Sequence, residues 1–257
     1  MINHLKQAII YEQEERYQEA ISEYELAIQS DPNNPEPYIL RAMLYDEAAQ
    51  FDAALIDCNA AILMQPDHTT ALNLRGEVLS SLGRFKEAVA DFTAALALDP
   101  KDALFYYNRG LANSALSQLL NAATDLSKAV ALDPLYGGAY NNLGLVHFRL
   151  GDYKAALVDF TKALEVRKGF ACSYTHRGRV FEKLGDDQAA LLDYNEALII
   201  NPKDTDSLYY KAKLLIKSGD IAQAISNLEY LLVTAPRNNQ LRQLAETKLK
   251  ELKKDER

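Results

Sequence analysis

Histidine and cysteine are the first candidates for chemistry, because their side chains ligate metals and act as bases or nucleophiles. The chain has four histidines and two cysteines, namely His4, His68, His147, His176, Cys58 and Cys172. None of them stands in a CxxC or HExxH spacing, and two cysteines do not make a disulfide framework. A nucleophile elbow and a glycine-rich phosphate loop are also missing. The sequence therefore predicts no enzyme, no cofactor and no metal site.

Arginine and aspartate recur sixteen residues apart at four points of the chain. The pairs are Arg41 and Asp57, Arg75 and Asp91, Arg109 and Asp125, and Arg177 and Asp193. Two such residues can face each other across a helical hairpin, where a partly buried ion pair stabilises more than an exposed one. We expect an ion pair in each hairpin, so that Arg109→Ala destabilises the fold and leaves ligand affinity unchanged. The other interpretation is that these arginines bind an acidic ligand.

The elements that position these pairs follow a 34-residue period of prolines. Proline stands at Pro32, Pro66, Pro100, Pro134, Pro202 and Pro236, and Lys168 occupies the missing position. Each proline indicates the end of a helix, because proline cannot continue the helical ladder. The period predicts seven repeats, 1–34, 35–68, 69–102, 103–136, 137–170, 171–204 and 205–238. The position of a residue within its repeat is called its place.

Small and large residues hold fixed places in these repeats. Place 20 is always alanine, place 27 is alanine in six repeats, place 8 is always glycine or alanine, and place 24 is mostly large. Small residues let two helices approach, and large ones fill the space between repeats. Glycine holds place 15 in four repeats, where it can end a first helix in the left-handed conformation. This pattern, in stretches such as YNNLGLVHFRLGDYKAALVDFTKAL, closely resembles the tetratricopeptide-repeat family.

The resemblance covers residues 1–238 and implies one all-α domain. In the family, antiparallel helix pairs stack into a right-handed superhelical solenoid, and the first helix of each pair lines its concave side. Residues 239–257 do not repeat, and their leucines at helical spacing predict an amphipathic helix that caps the last repeat. A partner-docking helix is the alternative for this segment. The double glycine at 137–138 and the lost proline near 168–170 indicate either drift at tolerant positions or bends in the superhelix.

Places 2, 5, 6, 9, 12 and 13 of the first helix face the concave groove in the family. Here these places are apolar and acidic in the first repeats, rich in amides in the middle, and basic and aromatic in the last repeats. Carboxamides suit the backbone of an extended peptide, and Tyr and Arg are frequent interface anchors. Asn108 and Asn142 share place 6, which resembles the asparagine ladder of some peptide-binding members. The candidate ligand-binding residues are Asn73, Tyr107, Asn108, Asn141, Asn142, His176, Arg179, Tyr210 and Lys213.

The charge of the chain is unevenly distributed. The net charge is -8, made of -10 over residues 1–68 and +2 over the remainder. We therefore expect a bound segment to place its basic part near repeats 1 and 2 and its acidic part near repeats 6 and 7. The acidic total argues against nucleic acid as a partner, with RNA binding through the basic end as a minor alternative. No long apolar run and no secretory signal pattern occurs, which predicts a cytoplasmic protein without membrane association.

The sequence favours a non-catalytic scaffold or adaptor that binds a protein or an extended peptide in its concave groove. The alternative is a structural subunit that forms a homo-oligomer or joins a larger complex through repeat 1, where Leu5, Ile9 and Ile10 lack a covering repeat. Some family members bind EEVD-type chaperone tails through a carboxylate clamp. Such a clamp is not expected here, because only Asn108 matches among the corresponding residues, Asn73, Glu77, Asn108, Gly138 and Asn142.

Overall fold

The computed structural model describes residues 3–255, and these residues form fifteen α-helices and no β-strand. The helices are α1 (His4–Gln13), α2 (Tyr17–Ser30), α3 (Glu36–Glu47), α4 (Phe51–Met64), α5 (Thr69–Ser81), α6 (Phe85–Leu98), α7 (Ala103–Ala115), α8 (Leu119–Leu132), α9 (Gly137–Leu150), α10 (Tyr153–Val166), α11 (Ala171–Leu184), α12 (Asp187–Ile200), α13 (Thr205–Ser218), α14 (Ile221–Thr234) and α15 (Gln240–Asp255).

The helices belong to two compact units that are divided after Asp133. Unit 1 contains α1 to α8, and unit 2 contains α9 to α15. In both units each odd-numbered helix contacts the even-numbered helix that follows it, and each pair contacts the next. First helices also contact one another, α3 with α5 and α5 with α7 in unit 1, and α9 with α11 and α11 with α13 in unit 2. The predicted all-α architecture of stacked helix pairs is confirmed.

The prolines end the second helices as the period predicts. The helix α2 ends at Ser30, two residues before Pro32, and α14 ends at Thr234, two residues before Pro236. The helix α10 ends at Val166, which is likewise two residues before Lys168. The lost proline therefore does not move the end of that helix. The bends expected near 137–138 and 168–170 stay predictions.

Every first helix is followed at place 15 by a residue in the left-handed region. The predicted glycines adopt it, with φ of +75° at Gly83, +82° at Gly151, +86° at Gly185 and +87° at Gly219. Three residues with side chains adopt it too, namely Glu15 (φ 59°), Ala49 (φ 55°) and Ser117 (φ 59°). The left-handed conformation costs a residue with a Cβ atom about 1–2 kcal/mol. The turn geometry is thus imposed by the repeat even where glycine is absent.

The core of each hairpin depends on the small residue at place 8 and the large residue at place 24. A Cβ atom on Gly76 would lie 2.5 Å from Phe92 Cε1, and one on Gly178 would lie 2.7 Å from Tyr194 Cε1. Both large side chains are fully buried. The predicted close approach of the two helices is therefore present in both units, and it fixes the first helix against the second.

The last helix, α15, contacts α13 and α14. Ala245 and Leu252 are buried with Leu208 and Leu231 in one apolar cluster, whereas Leu244 is half exposed. We propose that α15 acts as the cap of a repeat domain that spans residues 1–238.

Candidate functional site

The four predicted arginine–aspartate pairs are present, and they are bidentate. In the hairpin of α11 and α12, Arg177 Nε and Nη2 donate to the two carboxylate oxygens of Asp193, each at 2.8 Å. The same two bonds join Arg41 to Asp57, Arg75 to Asp91, and Arg109 to Asp125. The four aspartates are buried, so each arginine neutralises a carboxylate that water does not reach. The Nε and Nη2 donors of these arginines are used inside the hairpins, which favours the predicted ion pairs over an acidic-ligand site.

The repeat of α9 and α10 has no arginine at place 7, and its aspartate has a different partner. Asp159 Oδ2 lies 2.6 Å from His147 Nδ1, which comes from place 11. In unit 1, Asn113 at place 11 likewise donates to Asp125 Oδ2 at 3.0 Å. Burial raises the pKa of Asp159, and the contact with His147 opposes that rise. The sequence signal for this contact is a polar residue at place 11, twelve positions before the aspartate at place 23.

Side chains of neighbouring first helices contact each other in a regular pattern. A residue at place 9 contacts place 6 of the next repeat, and a residue at place 12 contacts place 9 of the next repeat. In unit 1, Asn108 Nδ2 donates to Glu77 Oε1 at 2.7 Å and to Asn73 Oδ1 at 3.0 Å. In unit 2, Glu182 Oε2 pairs with Lys213 Nζ at 3.4 Å. We call places 2, 6, 9, 12 and 13 of the first helices, α1 to α13 among the odd-numbered helices, the first-helix surface.

The structure brings Asn73 and Asn108 together, but Asn73 is buried between repeats. Both amide hydrogens of Asn108 are used inside unit 1, by Asn73 and by the carboxylate of Glu77. Burial raises the pKa of Glu77, and the hydrogen bonds from Asn108 and Asn73 oppose that rise. Tyr107 lies partly exposed on α7 beside them. These contacts use the amide donors of Asn108 and not its carbonyl oxygen.

The amides of unit 2 are also engaged. Asn141 is buried, accepts from Ser173 Oγ at 2.8 Å and lies 3.2 Å from His176 Nδ1. Asn142 Nδ2 donates to the Gly138 carbonyl in its own helix at 3.0 Å. Place 5 thus lies at the contact between repeats, which explains why Asn73 and Asn141 are buried.

His176 packs on the ring of Phe160, with ring centroids 5.4 Å apart. Burial lowers the pKa of His176 to about 4, and the positive charge of Arg179 acts in the same direction, while Asp204 opposes it. His176 is therefore neutral near pH 7 and holds repeats together through Asn141.

The remaining candidates, Arg179, Tyr210 and Lys213, form one group on the first-helix surface of unit 2. Arg179 Cζ lies 5.0 Å from the ring centroid of Phe148 and 4.9 Å from that of Tyr210. Lys213 Nζ lies 5.3 Å from the Tyr210 ring. Each cation–π contact contributes about 0.5–1 kcal/mol at an exposed site. Phe148 was not among the ligand-binding residues predicted from the sequence, although place 12 faces the groove in the family.

A further contact joins place 12 to place 24 across the hairpin. Tyr24 Oη donates to Glu12 Oε2 at 2.7 Å, and Tyr194 Oη donates to Glu182 in the same way. The hairpin of α3 and α4 has Asp46 and Cys58 at these places. Asp46 Oδ1 is buried and has no hydrogen-bond partner within residues 3–255. Burial raises the pKa of Asp46, and the neighbouring charge of Glu47 adds to that rise.

Five family models of the tetratricopeptide repeat match the chain, at residues 11–78, 76–117, 138–170, 173–204 and 193–226. The chain belongs to the tetratricopeptide-repeat family. Its members generally serve as scaffolds, and the family and the fold support a role in protein interaction. Comparison with curated proteins gives no match.

Solved structures of other tetratricopeptide-repeat proteins share the fold. A tetratricopeptide-repeat protein from Parabacteroides merdae is 15% identical with a TM-score of 0.74, over 95% of this chain and 96% of that one. YrrB, described as having an unusual peptide-binding site, is 24% identical with a TM-score of 0.62, over 73% of this chain and 97% of that one. MamA from Desulfovibrio magneticus is 26% identical with a TM-score of 0.61, over 65% of this chain and 94% of that one.

Between residues 3 and 255, no helix is both long and apolar enough to cross a membrane. Glu77, at the place where the chaperone-tail clamp of the family has its first asparagine, is a partly buried carboxylate. Its negative charge would repel an acidic tail at that point of unit 1.

Proposed function

We propose that the chain is a non-catalytic scaffold that binds an extended protein segment on its first-helix surface. The observation that carries this proposal is the row of Phe148, Arg179, Tyr210 and Lys213 across three successive first helices of unit 2. Rings and cations that converge on a partly exposed surface are the groups most often found at the centres of protein interfaces. The candidate amides Asn73, Asn108 and Asn141 act mainly as structural contacts between repeats and shape that surface.

The exposed charges of the surface differ in sign between the two units. In unit 1, Glu36 and Glu47 are exposed on α3 next to the partly buried Asp46. In unit 2, Lys183 and Lys213 are exposed on α11 and α13. Charge complementarity then favours basic residues of a partner on unit 1 and acidic residues on unit 2.

The proposal is tested with peptides selected from a random display library on the intact chain. Their affinity is compared between the intact chain, a variant with Lys183→Glu and Lys213→Glu, and a control with Lys154→Glu and Lys162→Glu. All four lysines are exposed, but the control pair lies on the second helix α10. We expect the surface variant to weaken binding about tenfold or more and the control to leave it unchanged. Equal loss in both variants, or no selected peptide at all, would overturn the proposal.

Self-association through the first repeat is a second candidate. Ile10 on α1 is 45% exposed, and Leu5 and Ile9 on the same helix are only partly buried. A second copy of the chain could cover these apolar side chains. Light scattering across a concentration series would show a dimer that Ile10→Ser dissociates. A monomer at every concentration would exclude this candidate.

A further inference from the structure

The guanidinium of Arg179 is held in a fixed position without using its hydrogen-bond donors. Its two contacts are with the rings of Phe148 on α9 and Tyr210 on α13, one from each neighbouring repeat. Ring contacts of this kind engage the π face of the aromatic group and leave N–H groups free to donate. Within residues 3–255, no hydrogen bond or ion pair joins Arg179 to another residue.

Within residues 3–255, no carboxylate forms an ion pair with Arg179. Glu182 accepts a hydrogen bond from Tyr194 and pairs with Lys213. Asp206 is close enough for the charge of Arg179 to act on it, but the two form no ion pair within 4.0 Å. Arg177, by contrast, donates hydrogen bonds to both carboxylate oxygens of Asp193. Unit 2 therefore presents a half-buried arginine whose charge is not matched by a bound carboxylate.

We infer that Arg179 binds the carboxylate of an aspartate or glutamate side chain within an extended segment of a partner protein. This inference rests on the proposed function and names the chemistry of its ligand. Arginine presents a planar fork that matches a carboxylate with two parallel hydrogen bonds. The flanking rings hold that fork in place, so little side-chain freedom remains to be lost on binding.

The position of the rings also predicts the neighbours of the acidic residue. In an extended chain, side chains two residues apart point to the same face and lie about 7 Å apart. The Phe148 and Tyr210 rings lie 5.0 and 4.9 Å from the guanidinium carbon, on the helices before and after α11. A segment that places its carboxylate on Arg179 would thus set apolar side chains, two residues before and after, against these rings. Because the surface extends beyond Arg179 onto both neighbouring helices, the carboxylate belongs inside the segment rather than at a chain end.

The test is selection from a random peptide library in which both ends of every peptide are joined to fixed linkers. On the full chain we expect enrichment of an acidic residue with apolar residues two positions to either side. On Arg179→Gln the acidic preference should disappear while the apolar preference remains. The tightest acidic peptide should lose about tenfold in affinity. Arg179→Lys, which keeps the charge but not the planar fork, should keep the acidic preference and bind the tightest acidic peptide more weakly. Lys154→Gln on α10 should change neither the preference nor the affinity.

Thermal unfolding followed by circular dichroism shows whether each variant is folded. If Arg179→Gln does not fold, the affinity of Arg179→Lys for the tightest acidic peptide provides the test. If Arg179→Gln selects the same acidic motif, or if acidic peptides bind only with a free C-terminal carboxylate, this inference is wrong. Should the selected peptides lack acidic residues but still depend on Lys183 and Lys213, the proposed function stands without this inference. If the binding of the selected peptides depends neither on Lys183 and Lys213 nor on Arg179, the proposed function and this inference both fail.

Discussion

The first-helix surfaces of the two units are built in the same register but carry opposite chemistry. In unit 1 the meeting residues are Asn108 and the carboxylate of Glu77, with the partly buried Asp46 nearby, whose Oδ1 lacks a hydrogen-bond partner within residues 3–255. In unit 2 they are the cation of Arg179 and the rings of Phe148 and Tyr210. The repeat pattern thus fixes where side chains of neighbouring repeats meet and leaves their chemistry free to vary.

The turns within the hairpins differ between the units as well. In unit 1 three of the four left-handed residues at place 15 are not glycine, whereas in unit 2 all three are glycine. Unit 1 therefore contains more backbone strain at its hairpin turns than unit 2.

The largest expected effect comes from removing the arginine of a buried arginine–aspartate pair in each unit. Arg177→Ala leaves Asp193 buried without a cation, and should destabilise unit 2 by about 3 kcal/mol. Arg109→Ala should cost about 1 kcal/mol less, because Asn113 still donates to Asp125. Urea unfolding measures both, with Arg84→Ala as the control, since its pair with Glu87 is exposed. Equal costs for Arg177 and Arg84 would show that the buried pairs do not hold the hairpins.

Acidification should affect the two units in opposite directions. The pKa of His176 in unit 2 is about 4, below its ordinary value of about 6.5, so its contribution is present above pH 6.5 and lost as the pH falls towards 4. In unit 1 the pKa values of Glu77 and Asp46 are raised, so their cost to stability diminishes as the pH falls from 7.

Urea unfolding of the intact chain, His176→Gln and Glu77→Gln at pH 7 and pH 5 measures these contributions. We expect the advantage of the intact chain over His176→Gln to shrink by about 1–2 kcal/mol at pH 5. Relative to Glu77→Gln, the intact chain should gain stability at pH 5. If the difference in unfolding free energy between the intact chain and His176→Gln did not change with pH, the assignment of His176 as a neutral, enclosed histidine would be wrong.

The smallest expected effect concerns the turns. Ala49→Gly should stabilise unit 1 by about 1 kcal/mol, because glycine adopts the left-handed region without a Cβ clash. Gly185→Ala should destabilise unit 2 by a similar amount. Ala48, with φ of -80°, gives the matched control, since glycine there relieves no strain. Midpoints of thermal unfolding for the three variants would test this, and equal midpoints for Ala48→Gly and Ala49→Gly would contradict it.

Regular spacing predicted the helix pairs, the proline ends and the four arginine–aspartate pairs, because each depends on residues at a fixed separation within one repeat. The contacts between repeats were harder to predict. Asn73 and Asn141 were predicted to face a ligand, and the structure places them between helices. The ring contacts of Arg179 depend on which residues two other repeats happen to carry, so the pattern of its own repeat holds no signal for them.

The central claim, that partners bind the first-helix surface, is tested most directly by site-specific photocrosslinking. A photoreactive phenylalanine analogue replaces either Tyr210 on α13 or Leu192, which is 61% exposed on the second helix α12. The probe is the tightest peptide selected on the intact chain. The account predicts a covalent adduct from position 210 and none from position 192. An adduct from position 192 with none from position 210 would contradict it.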